Sequence, residues 1–236
     1  MESVLVFGAH PDDIEFGCGG VIAKETRGGR TAHFVVCSRG ESGSNGTPEE
    51  RTREAEKAAG ILGATVEFLE LDGDAHLRGR VEHAIRLAGV IRRVRPGIVL
   101  APSVEKNQHP DHGRLGMLVR DACRIARYGS VKELEGAAAH AVGQLFFYAI
   151  TPGGEPAGAA AGMKVLVDVS DVMGAWVAAM EAHGSQLKTR NYVELQVSRA
   201  RVNGLCAGVD HAMAVFANDA PVVESLDGLA RGARAF

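Results

Sequence analysis

Aromatic side chains are scarce, at 5% of 236 residues, which leaves little material for base-stacking platforms. Excess charge of either sign is absent too. The 26 Lys and Arg stand against 29 Asp and Glu, a formal net charge of −3, and that balance excludes a polyanion binder by bulk charge. No apolar run is long enough to cross a bilayer. Met1-Glu2-Ser3-Val4 lacks the basic start of an export signal, so the expectation is a cytoplasmic protein with neither nucleic-acid nor membrane partners. Four cysteines, Cys18, Cys37, Cys123 and Cys206, fall without CxxC spacing. This excludes a cysteine-built zinc site, and a reducing compartment predicts mostly buried thiols and no disulfides. A dinucleotide fingerprint is also missing. Such a motif begins directly after the first strand, where this chain has Ala9-His10-Pro11-Asp12. Gly17-Cys18-Gly19-Gly20 comes later and predicts close helix packing beneath a site.

What is present alternates. Val4-Leu5-Val6-Phe7, Thr31 to Cys37, Thr65 to Leu69 and Ile98 to Ala101 are short apolar strands. Helical stretches separate them, from Pro11 or Asp13 to Gly28, from Pro48 to Gly63, and along Val81, Ala84, Ile85, Ala88 and Ile91. Thr47 is placed to cap the second helix, with Pro48 at its first position and Glu50 as capping-box partner. The run Arg86, Arg92, Arg93, Arg95 reads as a solvated helix face. Continuous apolar runs alternating with helices imply a parallel sheet covered on both faces. The expected fold is a Rossmann-like, doubly wound α/β domain of strand order 3-2-1-4-5. It spans residues 1–236 as one domain, with a regular βα core over 1–130 and a less regular part over 131–236. In that last part, Leu145 to Ile150 and Lys164 to Val169 read as strands, and Pro152 to Gly162 as a surface loop. Ser170-Asp171 reads as a cap for a helix towards Glu181, and Leu187 to Leu205 as another helix. Apolar stretches here predict a homo-oligomer.

Two segments carry chemistry, His10-Pro11-Asp12-Asp13-Ile14-Glu15 and His109-Pro110-Asp111-His112. Each follows an expected strand, the first and the fourth, which are neighbours in a doubly wound sheet. Their loops diverge at the topological switch point, where ligand crevices form. Segments about a hundred residues apart therefore meet in one crevice. A lone His-Pro is ordinarily a turn, and a lone Asp there can simply favour a helix N-terminus. Two such segments at neighbouring strand ends point instead to a metal. Two imidazoles and a carboxylate suit a catalytic zinc with an open position, and His10, Asp13 and His112 are the candidate ligands. The same set also suits ferrous iron. Asp12 projects differently from Asp13 and is the candidate general base for a water whose pKa zinc lowers to about 7. His109 is a candidate oxyanion stabiliser or proton donor, with Asp111 either fixing its tautomer or supporting a ligating histidine. His33, His76, His83, His140, His183 and His211 occur singly and read as core or surface residues.

These segments resemble the PIG-L/LmbE-like family of zinc-dependent N-deacetylases, which pairs an AHPDD-E motif with a later HPDH-type motif. The likeness runs from Val4 through Gln186 and includes Ser44-Asn45-Gly46-Thr47, Arg51 and Ser185-Gln186. It is strongest to the bacillithiol-pathway branch, whose members remove acetyl from N-acetylglucosaminyl-malate. The resemblance implies that His10, Asp13 and His112 bind zinc, that Asp12 is the base, and that His109 and Asp111 assist the transition state. It puts Arg51 at the substrate end of the pocket, a place where a guanidinium suits a carboxylate or sugar hydroxyl. Tyr192 is a candidate oxyanion-polarising hydroxyl. Asp210-His211-Ala212-Met213 departs from the aromatic-acidic pair of that branch. The resulting expectation is a zinc-dependent amidohydrolase acting on an N-acetylglucosamine conjugate, a small amino-sugar substrate. The rivals are a deacylase of an antibiotic precursor or lipid-linked sugar, a metal- or sugar-binding module without turnover, and a Rossmann-type oxidoreductase.

Overall fold

The apolar runs become strands β1 (Val4–Gly8), β2 (Ala32–Val36), β3 (Ala64–Phe68), β4 (Ile98–Pro102), β5 (Gln144–Tyr148), β6 (Lys164–Asp168) and β7 (Ala212–Ala217). The computed structural model describes residues 2–156 and 162–233. It joins all seven strands in one sheet of order β3-β2-β1-β4-β5-β7-β6. The first five are parallel, in the expected order 3-2-1-4-5. The strand β7 pairs antiparallel with both β5 and β6 and was not foreseen. Its Ala212-Met213-Ala214-Val215-Phe216-Ala217 is half alanine, a weak strand former. The middle of the expected Pro152–Gly162 surface loop, residues 157–161, lies outside the described residues.

Among the described residues six helices cover the sheet: α1 (Asp13–Arg27), α2 (Pro48–Ile61), α3 (Val81–Val94), α4 (Pro110–Ala126), α5 (Met173–Glu181) and α6 (Tyr192–Ala207). Side chains alternate along each strand. Val4 and Val6 therefore enter a core with Ile14 and Ile22 of α1 and Trp176 and Met180 of α5. Leu5 and Phe7 enter the opposite core, with Leu87 and Ile91 of α3 and Leu115 and Val119 of α4. Both faces of the central strands are buried, which is why these strands read as continuous apolar runs.

Local signals set most helix ends. Thr47 Oγ1 accepts the Glu50 N–H at 3.2 Å, with Pro48 at the first helical position. Gly28 closes α1. Two expectations shift. Ser170 and Asp171 lie in a short 3-10 turn and cap nothing, because Asp168 accepts from Ser170 and Asp171 pairs with Lys24. The last helix starts at Tyr192, capped by Asn191 Oδ1 on the Glu194 N–H at 3.0 Å, while 186–188 form a separate turn.

Arg92 corrects the solvated-face reading. It is buried and donates to the carbonyls of Ala126, Leu134, Ala137 and Tyr128, tying the end of α4 to the loop beyond it. All four cysteines are free, Cys18 and Cys37 buried, Cys123 half-buried and Cys206 exposed. No helix among the described residues is long and apolar enough to cross a membrane.

The glycines of α1 are close-packed as expected. A Cβ on Gly17 would fall 2.3 Å from a Tyr148 ring carbon, and that ring is held by its hydroxyl on the Phe7 carbonyl at 2.6 Å. We expect Gly17→Ala to destabilise the fold by about 1–3 kcal/mol through overpacking. Gly60→Ala, with nothing near its Cβ, should instead gain about 0.5–1 kcal/mol. Denaturant titration of both variants checks this, and a neutral Gly17→Ala would contradict the packing described.

Candidate metal centre

The parallel strands end on one rim of the sheet, and the segments after β1 and β4 open there side by side. Asp13 is the hinge between them. As the first residue of α1 it turns its Oδ2 back to accept the N–H groups of Ala9 at 2.9 Å and His10 at 2.8 Å. That leaves Oδ1 facing His112 Nε2 at 3.0 Å. His10 Nδ1 stands 3.4 Å from Asp13 Oδ2. The ring centroids of His10 and His112 are 5.3 Å apart, and His109 sits 4.7 Å from His10 and 5.3 Å from His112. Nitrogens of these three rings lie within 4.8 Å of one another.

The fourth-strand segment is held by its helix. His109 precedes α4, and its Nδ1 accepts the Asp111 N–H at 3.3 Å. A neutral ring that accepts at Nδ1 carries its proton on Nε2. The carboxylate of Asp111 turns away from His109. Its Oδ2 accepts the Ala75 N–H at 2.8 Å and lies 3.3 Å from His10 Nε2, while Oδ1 takes Arg114 at 3.3 Å. Asp111 thus reaches His10 through Oδ2.

Asp12 has φ 113° and ψ −28°, outside the region open to most L-residues. Such a conformation costs about 1–3 kcal/mol and persists where surroundings over-determine it. Its carboxylate lies 3.4 Å from Arg51 Nη2 and is 17% exposed. Arg51, buried on α2, also donates to the carbonyls of Pro11 and Gly40. Tyr192, at the start of α6, packs its ring 5.9 Å from Phe16. His10, Asp12, Asp13, His109 and His112 share with Arg51 and Tyr192 a cavity of about 280 Å³. A larger groove of about 990 Å³, among Thr26, Arg30, His33 and Leu62, lies elsewhere and contains none of these groups.

Sequence reasoning missed Asp74. It lies in Leu71-Asp72-Gly73-Asp74, just past β3, with Oδ1 3.0 Å from His10 Nε2. The available signal was positional, a turn with two carboxylates at a strand's C-terminal end, but it lacked a histidine. It also missed that His183 belongs under the site, fully buried with Nε2 3.3 Å from Glu15 Oε2.

The electrostatics are those of crowded acid. Burial and the neighbouring Asp13 charge push the Asp12 carboxyl up to about 6, with Arg51 opposing them. Burial would raise Asp13 as well, but His112 and His10 hold it well below the carboxylate range. Burial acts to lower His10, yet Asp13, Asp111 and Asp74 outweigh it and raise the imidazole well above its ordinary value. Burial and the charges of His10 and His112 lower His109.

A divalent cation fits these residues. His10, Asp74 and Asp111 form a second group of donor atoms within 4.8 Å, all buried, and buried charge of one sign needs a counter-charge. His112 Nδ1 is buried with no partner. Imidazole and carboxylate donors are those that zinc and ferrous iron take.

Comparison with known proteins agrees. The PIG-L family model, described as GlcNAc-PI de-N-acetylase, matches residues 5–123, half of the chain. The chain belongs to the PIG-L family. Its curated relatives include the diacetylchitobiose deacetylase of Thermococcus kodakarensis, 31% identical over 205 residues, 79% of this chain and 70% of that one. The 4-oxalmesaconate hydratase of Pseudomonas putida is 35% identical over 139 residues, covering 54% of each chain. A conserved protein of Thermus thermophilus superposes with a TM-score of 0.83 at 35% identity, over 95% of this chain and 98% of that one. PIG-L membership and the donor cluster together make this protein a metal-dependent enzyme.

His10 is the one ring common to both donor groups. His10→Ala should therefore lose zinc affinity by more than the roughly 10–100-fold that follows loss of an outer-shell partner. Calorimetric titration of chelator-stripped protein measures it, and wild-type affinity in the variant would contradict the geometry.

Proposed function

We propose that the protein is a de-N-acetylase of an N-acetylated amino sugar, with N-acetylglucosaminyl-malate as its substrate. The observation that carries this is Asp12, a carboxylate held on the cavity wall beside the converged imidazoles. His10, Asp13 and His112 would hold the divalent ion, zinc by donor type, with Asp111 and Asp74 behind His10. A cation bound there would polarise the acetyl carbonyl and acidify a water, the chemistry zinc supplies at three-ligand sites.

The protein's own groups do the rest. Asp12 takes a proton from the attacking water on its free carboxylate oxygen, since a carboxyl near 6 is ionised at neutral pH and still basic enough to accept. The water oxygen bonds to the acetyl carbon. His109 donates a hydrogen bond from Nε2 to the developing oxyanion, and the proton that Asp12 took from the water passes to the amine nitrogen so that the amine can depart. The C–N bond breaks, giving free amine and acetate. Arg51 and Tyr192 wall a cavity of about 280 Å³, small enough to enclose one sugar ring with its acetamide while the aglycone extends outward. Val202, Leu205 and Leu226 are exposed apolar side chains in the last third, in keeping with a homo-oligomer.

A hydratase is the second reading, favoured by the Pseudomonas putida relative. The same base and acid could add water across a carbon–carbon double bond, with no acetate formed.

Acetate release from N-acetylglucosaminides with and without a malate aglycone tests the assignment. Wild type should release acetate, fastest from the malate conjugate. Asp12→Ala should lose roughly 10²–10⁴-fold in kcat while keeping its zinc. Near-native turnover in Asp12→Ala would make the base wrong, and no acetate from any zinc-loaded or iron-loaded sample would exclude the deacetylase.

A further inference from the structure

Asp12 carries an L side chain at φ 113°, a backbone conformation that ordinarily belongs to glycine. Its carboxylate caps no N–H of α1, so the helix does not orient it. The guanidinium of Arg51 does reach it. Nη2 donates at 2.8 Å to the carbonyl of Pro11, in the peptide that enters Asp12, and lies 3.4 Å from Asp12 Oδ2. Nη1 donates at 3.2 Å to Gly40 O. Only 5% of the Arg51 side chain is exposed, and both of its terminal nitrogens are taken by protein atoms.

The loop after β2 is shaped around that group. Gly40 has φ +74°, and a Cβ there would fall 1.9 Å from Arg51 Nη1; one on Gly43 would fall 2.7 Å from the same nitrogen. Arg-Gly-Glu-Ser-Gly, residues 39–43, thus leaves a slot for one planar fork. Lysine, a point donor on a flexible stem, does not span two carbonyls in this way.

We infer that Arg51 is a positioning residue for Asp12, bracing Pro11 against Gly40 so that the strained turn keeps the carboxylate in the cavity. The inference rests on Asp12 being the base of the proposed reaction. It differs from the direct substrate contact that the position of Arg51 first suggested, and the two roles separate kinetically. A substrate contact acts on KM, whereas a misplaced base acts on kcat.

The test is Arg51→Lys, assayed as zinc-loaded full-length protein on an N-acetylglucosaminide and crystallised in parallel. Misplacement of a reacting group predicts a kcat roughly 10–100-fold lower, KM within about threefold of wild type, and unchanged zinc content. The crystal structure should show Asp12 released from positive φ. Gly40→Ala drives a methyl group into the same slot with Arg51 intact. It should reproduce the kcat loss, and it carries the test should Arg51→Lys fail to fold. A KM raised about tenfold with kcat retained, or an Asp12 turn unchanged in the variant crystal, overturns the inference. The crystallographic arm needs no substrate, so an inactive wild type would count against the proposed function and leave the role of Arg51 to be decided by the Asp12 turn.

Discussion

The constraint on which the site depends is the concentration of acid around one imidazole. Asp13, Asp74 and Asp111 all reach His10, at 3.4, 3.0 and 3.3 Å, and all three are buried. Carboxylates taken out of water this close together repel one another, and only positive charge among them makes the arrangement tolerable. Asp13, Asp111 and Asp74 accordingly raise the His10 pKa well above its ordinary value against the effect of burial. A divalent cation would supply that positive charge, and the contacts that perturb His10 are the ones that would surround it.

The sheet makes the concentration possible. Because β1 and β4 are hydrogen-bonded neighbours, residues 101 positions apart meet without a long loop. Asp13 then links the two segments, holding its own loop by two N–H bonds on one oxygen and facing His112 with the other. On the far side, α4 starts directly after His109, so its first turn carries Asp111 and His112 at fixed angles. The glycines of α1 let that helix lie against Tyr148 and Trp176, and the site rests on a close-packed floor.

Much of this was legible in the residues themselves. Continuous apolar runs marked the parallel strands, Thr47-Pro48 marked a helix start, and the paired His-Pro-Asp segments marked the crevice. The rest was hidden for identifiable reasons. The strand β7 is rich in alanine and pairs antiparallel with partners far away in sequence, so no local pattern announces it. Arg92 looks like its exposed neighbours, because only tertiary contact reveals the four carbonyls that surround it. Asp74 sits in an ordinary Asp-Gly turn, and its proximity to His10 comes from where β3 lies in the sheet. The orientation of Asp111 depended on the Ala75 N–H, on a loop whose path no short-range signal specifies.

The central claim is that one divalent ion is held between the first-strand and fourth-strand segments. Diffraction from crystals of the zinc-loaded protein, recorded on both sides of the zinc absorption edge, tests it most directly. The account predicts one strong anomalous peak within bonding distance of His10, Asp13 and His112, with Asp12 and His109 close by but unbound. A peak elsewhere, or none at full zinc loading, would contradict it.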